Sequence, residues 1–159
     1  MEATRVTEDA GTGLERVYRE HGERLWRAVY LFSGDREVAS DAVAEAFAQA
    51  LRRGDEIRAP ERWVWRTAFL VARGMLKERG HMIAVVPERG YETAPPMLDL
   101  LDALRALSPA QRAAIVLHYY ADRSVREVAD LMGSTPAAVG VHLHRARRRL
   151  RALLEDRDD

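Results

Sequence analysis

Between Ser124 and Leu150 the chain reads SVREVADLMGSTPAAVGVHLHRARRRL. Its punctuation admits little besides two short helices joined by a tight turn. Ser124 can cap the first helix, and Glu127, three residues on, completes a capping box. Val125, Val128, Ala129 and Met132 recur at helical spacing and predict a core-facing side. Gly133 supplies the left-handed residue that ends such a helix. Thr135 is the next N-cap, and Pro136 takes the first helical position, where its missing N–H costs nothing. Val139, Leu143, Ala146, Leu150 and Leu153 then repeat at steps of four and three, giving one buried stripe. Ala137, Val141, His144, Arg145 and Arg148 fall on the opposite side. A helix, a turn and a second helix running into an arginine block is the layout of a helix-turn-helix that enters the DNA major groove. The plainer alternative is a helical hairpin with a solvated basic face. Turn, caps and arginine block together favour DNA.

A formal net charge of zero over 159 residues argues at first against a nucleic-acid partner. The charge is unevenly placed, however. From Ser108 to Arg151 there are eight arginines against three acids, while Glu155, Asp156, Asp158 and Asp159 make the carboxyl end acidic. The local field, and not the total, draws in phosphates. The chain has no cysteine, which excludes disulfides, thiolate zinc sites and a thiol redox sensor. His142 and His144 are two apart on a helix and point different ways, and His21, His81 and His118 have no partner at ligand spacing. No metal site or cofactor is expected. There is no Gly-rich phosphate loop, nucleophile elbow or paired acid set in a catalytic frame, so no catalytic residues are assigned. No apolar run reaches the roughly 20 residues of a membrane span, and the first residues lack the apolar core of a signal peptide. A cytoplasmic protein without membrane insertion is expected.

Helical periodicity dominates the whole chain. Residues 1–11 read as a disordered polar tail. Leu14, Val17, Tyr18, His21, Leu25, Ala28, Val29 and Phe32 mark a first helix, broken at Ser33-Gly34. A second runs from about Asp35 to Arg53, with Val43, Phe47, Ala50 and Leu51 inward. Pro60 opens a third that reaches about Arg79. Gly80 to Pro96, with two glycines and three prolines, has no helical period and reads as a linker; Met82 to Val86 could be extended. Helices resume near Met97 with the stripe Leu98, Leu101, Leu104 and Leu107. Ser108-Pro109-Ala110-Gln111 is another capping box, launching a helix to Tyr120 that packs through Ile115, Val116 and Tyr119. The predicted fold is all-α: two small helical domains, residues 12–79 and 97–155, joined by a flexible linker over 80–96, the second containing the helix-turn-helix.

Two surfaces of the first domain stand out. Glu37, Asp41 and Glu45 lie four residues apart, with Gln49 next, and stack on one face of the second helix. Like charges at this spacing cost an isolated helix roughly 0.2–0.5 kcal/mol per pair. A basic partner would reverse that sign; a solvated acidic face is the equally weighted alternative. On the third helix Arg62, Arg66, Arg73 and Lys77 form one basic stripe, interleaved with Trp63, Trp65 and Phe69. Cations beside aromatic platforms suit single-stranded nucleic acid, where bases stack on rings and phosphates meet guanidinium groups. The competing account is an aromatic core. Trp63 is expected to be buried, and Trp65 is the better candidate for exposure.

These residues together resemble a sigma factor of the σ70 family, in its extracytoplasmic-function group, over about residues 14–79 and 97–154. GDREVASDAVAEAFAQAL, from Gly34 to Leu51, is similar to the family's Gly-Asp turn followed by an Asp-x-x-x-Glu-x-Phe helix. The resemblance implies docking of that helix on core RNA polymerase, with Glu37, Asp41, Glu45 and Gln49 in contact and Asp41 and Glu45 leading. WVWRTA, Trp63 to Ala68, resembles the family's Trp-Leu-Tyr-Arg-Ile-Ala run. It implies that Arg62, Trp65, Arg66, Arg73 and Lys77 meet the opened −10 strand, with a flipped base held near residues 54–59. LSPAQRAAIVLHYY, Leu107 to Tyr120, looks like the opening helix of the family's −35 domain, and Glu127 to Gly133 like its Glu-Ile/Val-Ala-x-x-Leu-Gly step. AVGVHLHRAR, Ala138 to Arg147, is similar to Thr-Val-Lys-Ser-Arg-Leu-x-Arg-Ala-Arg. That likeness implies promoter contacts by Val141, His142, Arg145 and Arg147, with Arg148 on the same basic face and Thr135 offering its backbone N–H to a phosphate.

The departures carry weight too. Gly140 and His142 stand where the family has lysine and arginine, Phe69 and Leu70 where it has a polar Arg-Asn pair, and Ala44 where it has glutamine. Glycine inside a helix costs about 1 kcal/mol against alanine. The implied function is an alternative sigma factor that binds core RNA polymerase and promoter DNA, with an anti-sigma factor as a further partner. The alternatives are a helix-turn-helix transcriptional regulator, or a sigma-like polymerase-binding adaptor without promoter activity.

Overall fold

The computed structural model describes residues 2–80 and 95–158, with side chains over 13–80 and 99–156. Seven α-helices and no strand occur among the described residues. The chain forms two compact units, Met1–Glu78 and Arg79–Asp159.

The first unit begins with α1, Glu2–Ser33. The expected polar tail is therefore helical from Glu2 onward. Extending a helix already nucleated costs far less than starting one, and no proline interrupts these residues. Gly34, at φ 69°, ends α1 by donating its N–H to the Tyr30 carbonyl at 2.7 Å. Asp35 then caps α2, Arg36–Arg53, accepting from the amides of Glu37 and Val38 at 2.9 and 3.1 Å. So short a connection folds α2 back along α1. Tyr18 meets Phe47 edge-on at 5.3 Å, and Trp26 Nε1 donates to Ser40 Oγ at 3.0 Å. Ala28, Ala39, Ala42, Ala46 and Ala50 are buried, so small side chains let the two helices approach closely. Leu51, expected inward, is 66% exposed. It lies one residue past Ala50, and about 100° of helical turn carries it out of the core.

A single 3₁₀ turn, Gly54–Glu56, leads to α3, Pro60–Gly80. Here the aromatic assignment is corrected. Val64, Trp65, Ala68, Phe69 and Ala72 form the buried stripe, and Trp65 is only 1% exposed. It stacks with Phe69 at 6.5 Å, and Phe69 packs on Phe32 of α1 at 5.3 Å. Trp63, two residues earlier, is half-buried.

Of the predicted linker, Gly80 closes α3 and Pro95 and Pro96 open α4; residues 81–94, with the extended piece Met82 to Val86, lie outside the described residues. The second unit starts with α4, Pro95–Arg105, which buries Leu101 and Leu104, while the side chain of Leu98 is outside the described set. Ser108 caps α5, Pro109–Ile115, with both halves of the capping box formed. The chain then widens into a π-helical turn, Val116–Tyr120. Ala121 N–H reaches back five residues to the Val116 carbonyl, and Arg123 N–H six residues to that of Leu117, each at 3.1 Å. This widening rotates Tyr119, expected to pack inward, to 53% exposure, while Val116 and Leu117 stay buried. Helix α6, Val125–Met132, and α7, Pro136–Asp158, complete the unit around Leu117, Val128, Leu131, Val139, Leu143 and Ala146. Truncating a buried leucine here, such as Leu117→Ala, removes about 2–5 kcal/mol.

Candidate nucleic-acid interface

The helix-turn-helix is held by the groups its sequence provides. Ser124 Oγ accepts from the Glu127 amide at 3.1 Å, and Glu127 Oε1 accepts from the Ser124 amide at 3.3 Å. Those bonds with Ser124, aided by Arg123, hold the Glu127 carboxyl below its ordinary value. Gly133 is left-handed at φ 62°, and its N–H closes on the Asp130 carbonyl at 3.2 Å. Thr135 Oγ1 accepts from the Ala138 amide at 3.2 Å, capping α7 one residue before Pro136. The turn therefore fixes the angle at which α7 leaves α6.

Helix α7 sorts its residues as its period demands. Val139, Leu143 and Ala146 are buried, and Leu150 and Leu153 half-buried. Ala137, Gly140, Val141, His144, Arg145, Arg147 and Arg148 are exposed, whereas His142 is half-buried at the border of the face. No acid occurs between Pro136 and Leu154, so the solvent side of most of the helix is cationic or neutral. Arg147 is not a loose cation: it donates from a guanidinium nitrogen to Tyr119 Oη at 2.8 Å. Tyr119 is a member of this surface that sequence reasoning placed inside, and only the i+5 hydrogen bond of the π turn reveals it.

On α3 the four cations Arg62, Arg66, Arg73 and Lys77 are all exposed on one side. Trp65, assigned to that side by the sequence, is instead in the core, because it belongs to the stripe that faces α1. The aromatic ring near the surface is Trp63, whose face lies 5.7 Å from the Arg53 guanidinium carbon. Leu70, 52% exposed, interrupts the basic stripe with an apolar side chain. Just before α3, Gly54 at φ 53° turns the chain out of α2 into the segment that carries Asp55, Glu56 and Arg58.

The acidic stripe occupies the solvent side of α2. Glu37 and Asp41 are exposed, and Glu45 and Gln49 half-buried. Glu45 is already engaged: it accepts from Gln49 Nε2 at 2.9 Å and from Arg52 at 3.2 Å. The Gln49 bond first, and Arg52 after it, lower its carboxyl from the ordinary value. Asp41 is therefore better placed than Glu45 to lead a contact with a basic partner. Exposed Ala44 and Leu51 border the stripe and give it an apolar edge. Among the described residues no three His, Asp or Glu side chains are grouped to hold a metal ion, and no helix is long and apolar enough to cross a membrane.

The chain is similar in sequence and fold to known proteins. A family model described as sigma-70, region 4, matches residues 97–150, the unit that carries the helix-turn-helix. SigL of Mycobacterium tuberculosis, an ECF RNA polymerase sigma factor, is 31% identical over 159 residues, which cover 88% of this chain and 88% of SigL. BldN of Streptomyces coelicolor, another ECF RNA polymerase sigma factor, is 27% identical over 89% of this chain. The match spans only 60% of BldN, so the chain accounts for about three fifths of that relative's length. Among solved structures, the sigma factor RpoE, co-crystallised with the anti-sigma factor NepR from Bartonella quintana, has the same fold. Its TM-score is 0.72 at 22% identity, over 93% of this chain and 98% of that one. The match along most of SigL, the helix-turn-helix and the all-helical fold agree, and the chain belongs to the extracytoplasmic-function family of RNA polymerase sigma factors.

Proposed function

We propose that the chain is an alternative sigma factor: it binds core RNA polymerase and directs promoter-specific transcription initiation. The observation that carries this reading is the cationic outer face of α7, set at a fixed angle by the Ser124–Glu127 box, Gly133 and the Thr135 cap. In this account Val141, Arg145, Arg147 and Arg148 meet the −35 duplex, with His142 at the edge of the contact. Arg62, Arg66, Arg73 and Lys77 hold the phosphates of the opened −10 strand. Trp63, in place of the buried Trp65, is the ring available to its bases. Glu37 and Asp41, supported by Glu45 and Gln49, dock on a basic face of the polymerase. The protein performs no covalent chemistry itself, and binding energy drives strand separation. Its work is in the cytoplasm, where polymerase and promoter are. An anti-sigma factor that covers one of these faces would keep it silent; RpoE, which shares the fold, is co-crystallised with one.

Polymerase pull-down combined with run-off transcription tests the proposal. Core binding with initiation from defined start sites is expected. DNA binding without core binding would make the chain an ordinary helix-turn-helix regulator. Core binding without initiation would make it an adaptor.

A further inference from the structure

We propose that Tyr119 and Arg147 form one composite seat for a DNA phosphate, and that Tyr119 positions the arginine as well as contributing a donor of its own. The inference rests on the −35 reading of α7. Four observations lead to it. The two residues are 28 apart in sequence, yet Arg147 donates to Tyr119 Oη at 2.8 Å. Both side chains are at the surface, and Tyr119 is 53% exposed. The tyrosine stands on a well-tied backbone: the π turn is anchored by buried Val116 and Leu117 and closed by the Ala121 and Arg123 amides. His118 Nδ1 closes it again from the side, donating to the Arg123 carbonyl at 2.7 Å, and its ring packs edge-on against Tyr119 at 4.9 Å.

The chemistry of the pair follows. A phenol oxygen both accepts and donates. Tyr119 Oη accepts from the guanidinium, which turns its own hydrogen outward, away from the positive charge. Arg147 spends one of its roughly five N–H donors on the tyrosine and keeps the others. Hydroxyl and guanidinium then converge on a point that suits a phosphate oxygen, one bond neutral and the others charge-assisted. A long side chain fixed before binding loses less freedom on binding. Arg148, next along α7, is exposed and serves as the internal comparison.

The test works whichever promoter the chain reads. Duplex DNA is selected from a random pool by the full chain with core polymerase, and affinities are measured against salt. Arg147→Ala is expected to reduce the log–log salt slope by about 0.9, because it removes one cation that neutralises a phosphate. Tyr119→Phe keeps the ring and is expected to weaken binding about three- to tenfold, with the slope unchanged, as loss of a hydrogen bond without loss of charge requires. In the Arg147→Ala background the same change is expected to cost less than it does in the wild type, because only the tyrosine's own donor is then lost and no arginine remains to be positioned. Full additivity of the two substitutions, or wild-type affinity for Tyr119→Phe, overturns the composite seat. Side-chain NMR of the full chain without DNA supplies a second readout. The Arg147 guanidinium is expected to be more ordered than that of Arg148, and to lose that order in Tyr119→Phe; equal mobility in the wild type overturns the positioning role. Failure of the wild-type protein to select any duplex would defeat the −35 reading itself, an outcome distinct from each of these.

Discussion

The two units solve the same problem, that of presenting charge on a helix, in different ways. In the second, the chain from Ser108 to Pro136 is punctuated at each helix start. Two capping boxes, two prolines at helix starts and a left-handed glycine set where α5, α6 and α7 begin and where α6 ends. The face of α7 follows from those marks. In the first unit three long helices run with few stops, and the rotation of each helix against its neighbours decides what faces out. Function there is a matter of phase. A surface defined by punctuation should resist core substitutions elsewhere, and one defined by phase should fail when the core that sets the phase is altered.

The largest expected effect tests that contrast on α3. Trp65→Ala empties a core site beside Phe69 and should cost about 3–5 kcal/mol. Trp63→Ala, at a half-buried position against Arg53, should cost less, about 1–2 kcal/mol, from partial ring burial and a cation–π contact near the surface. Chemical denaturation of the two variants measures the difference. Equal losses would mean that α3 does not hold the rotation described.

Charge reversal on α2 comes next. Asp41→Lys with Glu37→Lys places two cations on the face proposed to dock a basic partner, at exposed positions outside the core. Core polymerase affinity should fall by roughly two orders of magnitude, since like-charge juxtaposition at an interface costs several kcal/mol. Circular dichroism and the melting temperature should hardly move. Unchanged affinity in a competition pull-down removes the acidic stripe from the polymerase contact.

How far the sequence alone reveals these surfaces differs between the units for the same reason. The helix-turn-helix is readable almost to the residue, because Ser124, Glu127, Gly133, Thr135 and Pro136 each act on their own backbone within a few positions. The basic stripe of α3 is also visible, since Arg62, Arg66, Arg73 and Lys77 fix their relation to one another by spacing alone. What spacing cannot fix is the direction of the stripe's aromatic neighbours. Trp63 and Trp65 are about 200° apart on the helix, and only packing against Phe69 and Phe32 chooses between them. Leu51 is misplaced likewise, by one residue. Tyr119 is missed for a different reason: a π turn shifts the phase in mid-helix, and no residue type announces it.

A smaller effect separates the cations of α7 from the rest of its surface. Arg145→Ala should weaken duplex binding about tenfold near physiological salt and reduce the salt slope by about 0.9. The fold should be intact, because Arg145 is exposed and its neighbours Leu143 and Ala146 keep the helix seated. An unaltered slope in anisotropy titrations would show that this arginine faces elsewhere, and would leave Arg147 and Arg148 to carry the phosphate contacts.

The smallest effect probes the punctuation itself. Glu127 has its folded-state acidity strengthened by Ser124 and Arg123, so its pKa lies below the unfolded value of about 4.3. A depressed carboxylate contributes stability that is fully present above the unfolded pKa and is lost as pH falls through the folded one. The side chain is 54% exposed, so water screens the contribution to a few tenths of a kcal/mol, of the order found for exposed pairs. Glu127→Gln keeps an acceptor for the Ser124 amide but has no charge to lose. Melting curves of wild type and variant should therefore differ slightly at neutral pH and converge as the pH falls through the folded-state value and below it. A difference that persists in acid would mean that shape, and not charge, is what Glu127 adds to the turn.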